Sequence, residues 1–555
     1  AVEGFILTRQ WVETSVGLEL IYWFATVDGP LRLRLSGQEA VCFYVADQTE
    51  NVGRALRAIR GWHSKKTKLK NFNKELVSAL YFRSQRQLYT AREKLGDAGI
   101  VCYEADIKPT DRFLMERFIT GGVIIQGESA GRTGFRDLQN PQLKPAQVRP
   151  RLSAVSIDIE TDFAAQKLYS IAIYSDSVSL VLMINENPEE VDEETLVLRY
   201  FPTEKELLAY FIETIEVLDP DILMGWNVVN FDLRCLQMFC DRASIELRLG
   251  RNAEVVKWRQ SADSNDRHYA LLAGRVVLDG IELMRSATYQ FENFSLEHVS
   301  RELLDRGKLV DDVDARGAEI TSLFENAKLA LAKYNLEDCK LVWDIFEKEK
   351  LIDFAIERSL LTGLELDRAG GSVAAMDFLY LPRLHRQGYV APAMDQLESS
   401  NISPGGYVMN SIPGIHRNVI VLDFKSLYPS IIRTFNIDPL AMVKGLDVKN
   451  PIIGFDGGRF SRTDSILPGL ITTLWAARDR AKLANNKALS QAIKIIMNSF
   501  YGVLGTLGCR FFDSRLVSSI TKRGHEIIIQ SKVYIESKGY QVIYGDTDSV
   551  FVLLS

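Results

Sequence analysis

The 555-residue chain has no cysteine framework. Its six cysteines, Cys42, Cys102, Cys235, Cys240, Cys339 and Cys509, lie far apart, without the spacing of a zinc site or a disulfide scaffold. Reduced thiols in a cytosolic protein are the expectation. No apolar run approaches the roughly 20 residues that cross a bilayer, so no membrane contact is expected. The N-terminal AVEGFILTRQW lacks the basic stretch and long apolar segment of a secretion signal. Positive charge is not in excess either: 66 Lys and Arg stand against 72 Asp and Glu, a net charge of -6 at pH 7. That excludes a wholly basic nucleic-acid-binding surface. It leaves room for clustered carboxylates that hold cations, because a bound metal restores local positive potential.

Internal repeats and low-complexity tracts are also missing, so organisation has to be read from composition breaks. A 46% hydrophobic content with 25% charged residues describes a soluble globular protein, and the length suggests three or four domains. Residues up to about 145 read as strand-rich, with a hairpin turning at Asp28-Gly29-Pro30. NPQLKPAQVRPRLS, with Pro141, Pro145 and Pro150, reads as a linker. A second break falls at LESSNISPGGYV, residues 397–408. Mixed strands and helices lie between the two breaks. A strand, a helical pair, a long helix and a terminal hairpin follow the second. The run KKTKLK, Lys65 to Lys70, reads as a solvated face that could touch a polyanion.

Acidic residues supply the chemistry. In AVSIDIETD the alternation predicts a strand with Asp158 and Glu160 on one face. Two acids so placed repel one another, and an oxygen-liganded cation such as Mg²⁺ or Mn²⁺ between them removes that cost. In DPDILMGWNVVNFDLRCLQ a strand over Ile222–Met224 breaks at Gly225, and Asp232 opens a helix, a place that a simple dipole partner also takes. In LALAKYNLEDCKLVWDIF, Tyr334 and Asp338 are i and i+4 on an amphipathic helix.

The second set lies further on. NVIVLDFKSLYPSII reads as a buried apolar strand, Val419 to Leu422, that delivers Asp423 before a helix starting near Pro429. YQVIYGDTDSVFVLLS reads as a β-hairpin turning at Gly545-Asp546-Thr547-Asp548. Between them, LWAARDRAKLANNKALSQAIKIIMNSFYG reads as two helices meeting at Asn485-Asn486. Arg478 and Lys482 share a face of the first helix, and Lys494, Asn498 and Tyr501 share one of the second.

DIE at 158–160, NVVNFD ending at Asp232 and YNLED from Tyr334 to Asp338 resemble the motifs of DEDD-type 3′ to 5′ exonucleases. DFKSLYPS, KIIMNSFYG and YGDTDS resemble motifs A, B and C of family B DNA polymerases, in order. With NISPGGYVMNS, RFFD and TKRGHE, the resemblance extends along essentially the whole chain and is strongest to bacterial members. It implies an α/β and α+β multidomain protein: a strand-rich N-terminal domain (1–148), a ribonuclease H-like DEDD exonuclease domain (149–365), a return segment of the N-terminal domain (366–392), a palm with an antiparallel sheet (393–440 and 504–555) and helical-hairpin fingers (441–503). Where the family has Tyr-x-Gly-Gly, this chain has Ser403-Pro404-Gly405-Gly406, so the family's tyrosine role does not pass to Ser403.

The roles implied by the resemblance are specific. Asp158, Glu160, Asp232 and Asp338 would hold two divalent ions, with Tyr334 orienting the attacking water. Asp423, the Phe424 carbonyl and Asp548 would hold two more, with Asp546 in support. Mg²⁺ is the expected ion, with Mn²⁺ as a substitute. Tyr428 would exclude a 2′-hydroxyl, and Arg478, Lys482, Lys494, Asn498 and Tyr501 would hold the incoming dNTP. Primer-template DNA and single-stranded 3′ ends are the implied partners, in a cytoplasmic, bacterial nucleoid-associated setting. The rival readings are an exonuclease whose other half only holds DNA, and a catalytically dead DNA-binding scaffold; retention of all six carboxylates favours catalysis. Family members continue past motif C into a thumb, so a chain ending at Ser555 is expected to be a fragment impaired in primer extension, with any sliding-clamp contact in the missing part.

Overall fold

The structure, a computed structural model, describes residues 1–554 apart from 133, 187–189, 194, 261–266, 308–315, 369 and 395–404. The second composition break therefore lies largely outside the described residues, as do Ser403 and Pro404. The chain forms two compact units, Ala1–Val12 with Glu19–Ser36 and Ile119–Gly370, and Glu13–Leu18 with Gly37–Phe118 and Gly371–Ser555.

Two seven-stranded sheets characterise the first unit. One runs in the order Gln142–Pro145, Gly122–Gln126, Val2–Thr14, Gly17–Thr26, Gly29–Gln38, Phe135–Gln139 and Ser129–Arg132. The hairpin read around Asp28 is present. Its turn is Val27-Asp28, and Gly29 follows at φ +92°. The proline-rich stretch is not wholly a linker. Gln142–Pro145 pairs antiparallel with Val123–Gln126 as the outermost strand, a place that tolerates proline because an edge strand need not donate every N–H.

The other sheet follows the order Glu190–Glu193, Leu196–Phe201, Val178–Ile184, Leu168–Ser175, Ala154–Thr161, Ile222–Gly225 and Val276–Asp279. Alternation along Ala154–Thr161 separates its two faces. Val155, Ile157 and Ile159 join Phe211, Ile215, Leu233, Leu236 and Phe239 from helices Glu204–Leu218 and Asp232–Ala243 in one core. Ser156, Asp158 and Glu160 take the opposite face, where helix Lys328–Lys348 packs. Leu331, Ala332 and Leu336 of that helix meet Ala172, Val181 and Met183, and Leu341, Val342 and Ile345 meet Met224 and Leu278. The mixed sheet flanked by helices is the architecture expected for this region.

In the second unit a three-stranded sheet runs in the order Ala40–Val45, Leu76–Phe82, Trp62–Lys70. A second antiparallel sheet has the order Val419–Asp423, Ser549–Leu553, Gln541–Asp546. Val542, Val550 and Val552 pack on Ile528 of the long helix Ser514–Ser537. The helical pair Leu467–Leu483 and Lys487–Leu504 turns at Asn485, φ +53°, and the Asn486 side chain caps the second helix by accepting the Leu489 N–H.

Three expectations are corrected here. Val419–Asp423 is not buried: Ile420, Val421 and Leu422 are 41%, 52% and 48% exposed, because this strand is the outer one of its sheet and no described layer covers it. The helix after it begins at Leu427, with Ser426 at φ +51° redirecting the chain. In the terminal hairpin Gly545 and Asp546 belong to the strand, and the turn is the pair Thr547-Asp548, with Thr547 at φ +51°. All six cysteines are buried free thiols.

Candidate active sites

The first carboxylate group forms where a strand crosses under a helix. Asp158 and Glu160 project from Ala154–Thr161 toward Asp338 on Lys328–Lys348, and one ligand oxygen from each lies within 4.8 Å of the others. Glu160 and Asp338 are 7% and 1% exposed. Asp232, 2% exposed, joins from the side: its Oδ1 accepts the Ile159 N–H at 3.0 Å, a backbone bond to the strand that carries Asp158 and Glu160. Gly225 makes this approach possible, since a Cβ there would lie 2.9 Å from the Ile157 carbonyl oxygen and 2.7 Å from Val228 Cβ. Tyr334 sits one turn before Asp338 and is 2% exposed within the apolar cluster on the same helix.

The surroundings carry the mark of concentrated negative charge. Burial first, then the Asp158 and Asp338 carboxylates, push the Cys339 thiol well above its ordinary range. A cation held among these oxygens would offset their mutual repulsion. The donor set, carboxylates alone, suits a hard divalent ion.

The second group lies at the ends of two neighbouring strands. Asp423 ends Val419–Asp423 opposite Ser549. The Phe424 N–H donates to the Asp548 carbonyl at 2.8 Å, and the Asp548 N–H donates to the Asp546 carbonyl at 2.6 Å. The three acids of motifs A and C are thus tied by backbone bonds. Partial burial, then the Asp423 and Asp546 charges, raise the Asp548 carboxyl above its ordinary value. Among the described residues no Lys or Arg pairs with Asp423, Asp546 or Asp548 within 4.0 Å.

Tyr428 and Tyr501 meet with ring centroids 4.4 Å apart, bringing motif A against motif B. Burial, then Tyr501, Asp548 and Asp546, push the Tyr428 phenol up to about 12, so it stays neutral. Gly524 of the long helix lies under the ring: a Cβ there would stand 3.3 Å from Tyr428 Cε1. Lys482, Lys494 and Asn498 are exposed on the helical pair, and the buried Arg478 Nε has no hydrogen-bond partner.

Residues 369–555 match the model of DNA polymerase family B, and residues 100–299 match that family's exonuclease domain. Residues 4–39 and 40–100 match the DNA polymerase II N-terminal and insertion domains. Over 560 aligned residues the chain is 47% identical to DNA polymerase II of Escherichia coli K12, covering all of this chain and 70% of that protein. The chain belongs to the family B DNA polymerases. A DNA polymerase of Archaeoglobus fulgidus is 24% identical over 99% of this chain and 70% of its own. The solved family B polymerase of Pyrobaculum calidifontis shares the fold, with a TM-score of 0.79, at 20% identity, covering all of this chain and 75% of that one. The protein is thus a DNA-directed DNA polymerase with a 3′ to 5′ exonuclease domain. Among the described residues no helix is long and apolar enough to cross a membrane.

Sequence reading missed several residues of the polymerase that hold these groups in place. Asn335, fully buried, donates from Nδ2 to Asp158 Oδ2 at 2.7 Å and accepts the Ser170 hydroxyl at 2.8 Å. Its place beside Tyr334 in YNLED was the available signal. Segment 407–412 was not read as part of the hairpin, yet the Thr547 N–H donates to Tyr407 O, Met409 N–H to Gly545 O and Ile412 N–H to Ile543 O, each at 2.8 Å. Nothing local marks that pairing. Asp438, fully buried, accepts from the Tyr380 hydroxyl and the Ala441, Ile466 and Leu467 N–H groups, joining helices Ser372–Arg386, Pro439–Gly445 and Leu467–Leu483.

Proposed function

We propose that the polymerase works through two independent two-metal sites, one on each unit. The observation that carries this reading is the pair of separate carboxylate groups, Asp158, Glu160 and Asp338 within 4.8 Å on one unit and Asp423, Asp546 and Asp548 linked through strand-end backbone bonds on the other. When bound, two Mg²⁺ ions per site, or Mn²⁺ in their place, activate the attacking oxygen and stabilise the leaving one in an in-line displacement at phosphorus.

The chain's own groups do the rest. At the exonuclease site Asp158, Glu160, Asp232 and Asp338 hold the ions, with Asn335 fixing the Asp158 carboxylate. Tyr334 positions the water through its hydroxyl, being too weak a base to deprotonate it. At the polymerase site Asp423, the Phe424 carbonyl and Asp548 are the ligands, and Asp546 supports the turn. Neutral Tyr428, held between Tyr501 and the Gly524 helix, fills the space that a 2′-hydroxyl would need. Arg478, Lys482, Lys494 and Asn498, with Tyr501 beside them, take the triphosphate; the partnerless Arg478 Nε is a donor ready for a phosphate oxygen. In this reading 393–440 and 504–555 are palm, 441–503 fingers and 149–365 exonuclease. The substrates are primer-template DNA, dNTPs and single-stranded 3′ ends.

The test reads both activities from one labelled primer. Replacing Asp423 with Asn should abolish nucleotide addition and leave 3′ degradation intact. Equal loss of both activities would show one shared site and end this reading.

A further inference from the structure

Residues 54–94 contain twelve Lys and Arg against two carboxylates, Glu75 and Glu93, inside a chain of net charge -6. The structure gathers these cations on the three-stranded sheet of the second unit. Trp62–Lys70 is an outer strand there, hydrogen-bonded to Leu76–Phe82 on one side only. Its far end is tied down, where the Lys70 N–H donates to Gly388 O and the Val390 N–H to Lys70 O. Lys65, Lys66, Lys68 and Lys70 are all exposed, and among the described residues none has a carboxylate within 4.0 Å. Exposed Arg60, Arg83 and Arg86 continue the row past the start of the strand; the Arg60 carbonyl accepts the Gln87 amide, and Gly61 lies beside the Arg83 side chain. Aromatic surface lies among the cations: His63 stacks on Tyr81 at 5.0 Å, and Lys65 Nζ stands 5.0 Å over the same ring.

Lysines on an outer strand also discourage sheet-to-sheet association. That accounts for the strand but not for the arginines flanking it, nor for the scarcity of acids over the whole segment. Nothing about the two catalytic sites uses this surface.

We propose that the outer strand Trp62–Lys70, with Arg60, Arg83 and Arg86, is a binding track for the phosphate backbone of single-stranded DNA. The pairing register shifts between Lys66 and Lys70, so the four lysines spread along a bulged outer strand, and their charge complements the phosphates of an extended single strand. The Tyr81–His63 stack offers a base a flat face without sequence preference.

The experiment measures binding of a fluorescent oligothymidylate to the whole chain by anisotropy at several salt concentrations, without divalent ions so that degradation is silent. Replacing Lys65, Lys66 and Lys68 together with Gln removes three phosphate contacts. It should lower the slope of log affinity against log salt by about 2, at roughly 0.7 per contact. Replacement of the same three by Arg should keep the slope. All three side chains are exposed, and thermal melting of each variant confirms folding. An unchanged slope in the Gln variant, or a loss seen with a blunt duplex and not with the single strand, would overturn the proposal.

Discussion

The two carboxylate groups proposed as catalytic are built on opposite principles. At the exonuclease group the acids come from a central strand and two helices; Glu160, Asp232 and Asp338 are buried and Asp158 is half-buried, and hydrogen bonds from the Asn335 side chain to Asp158 and from the Ile159 N–H to Asp232 hold them. At the polymerase group the acids sit at strand ends of an open sheet. Asp423 is exposed and the strand that delivers it is half exposed along its length. The first group is largely buried, where low-dielectric surroundings magnify repulsion between the acids and strengthen their attraction for a cation. The second is more open, with Asp423 exposed and Asp546 and Asp548 half-buried, and it is held by strand-end backbone bonds and by the Thr547 hydroxyl, which donates to Asp546 Oδ1 at 2.8 Å. A shell of buried hydrogen bonds suits a site that must position a bare strand end and a water. An open strand edge suits one that receives a large, variable substrate.

The sharpest way to break the comparison is to remove one group and look at the other. Asp158→Ala with Glu160→Ala should lower single-turnover 3′ degradation by about 10³-fold, the scale of losing preorganised charge stabilisation, with nucleotide addition unchanged within about twofold. Parallel loss of both would mean that the two groups are not independent.

A third carboxylate set shows what burial looks like when the protein supplies the cation. His385 lies between Glu104 and Glu116, with ring nitrogens 3.0 and 2.6 Å from their oxygens. Burial pulls its pKa down, but the two carboxylates more than offset that and raise it to about 9 from 6.5. Because the folded value is the higher one, the stabilisation is full below about pH 6.5 and is lost as pH rises through about 9. Urea melts should therefore place the wild type about 3 kcal/mol above His385→Gln at pH 6, with the gap closing by pH 10. A gap that widened with pH would contradict a charged His385.

Two smaller effects refine the contrast. Asn335→Ala should cut degradation by about 10- to 100-fold, the usual consequence of losing a partner that orients a metal ligand. Addition should be untouched, and excess Mn²⁺ should recover part of the loss. If degradation survives intact, Asp158 does not need its buried partner and the contrast between a fixed group and an open one fails. At the open site Tyr428→Ala should lower discrimination against ribonucleotides by about tenfold or more, read as the ratio of kcat/KM for the two sugars. An unchanged ratio would move selection away from this ring.

Much of this was legible in the residue order. Alternation in AVSIDIETD assigned Asp158 and Glu160 to one face and Val155, Ile157 and Ile159 to the other, and the sheet honours that division because strand geometry is local. The i, i+4 spacing of Tyr334 and Asp338, the helix opening at Asp232, and the helical pair turning at Asn485-Asn486 follow from the same short-range rules. Strand Val419–Asp423 shows where such rules end. Its apolar run reads as a core strand, yet exposure depends on which layers cover it, and no window of sequence encodes that.

By itself, then, the order of residues determined which side chains share a face, where strands hand over to helices, and which acids were available to hold ions. Only the tertiary structure decided which of them meet. Asp232 reaches the Ile159 N–H across 73 residues and Asn335 reaches Asp158 across 177. Residues 407–412 pair with a hairpin more than a hundred positions away. A buried donor or acceptor must find a partner wherever the fold brings one, and that partner is set by the packing of whole sheets and helices. Periodicity within a segment carries no record of it.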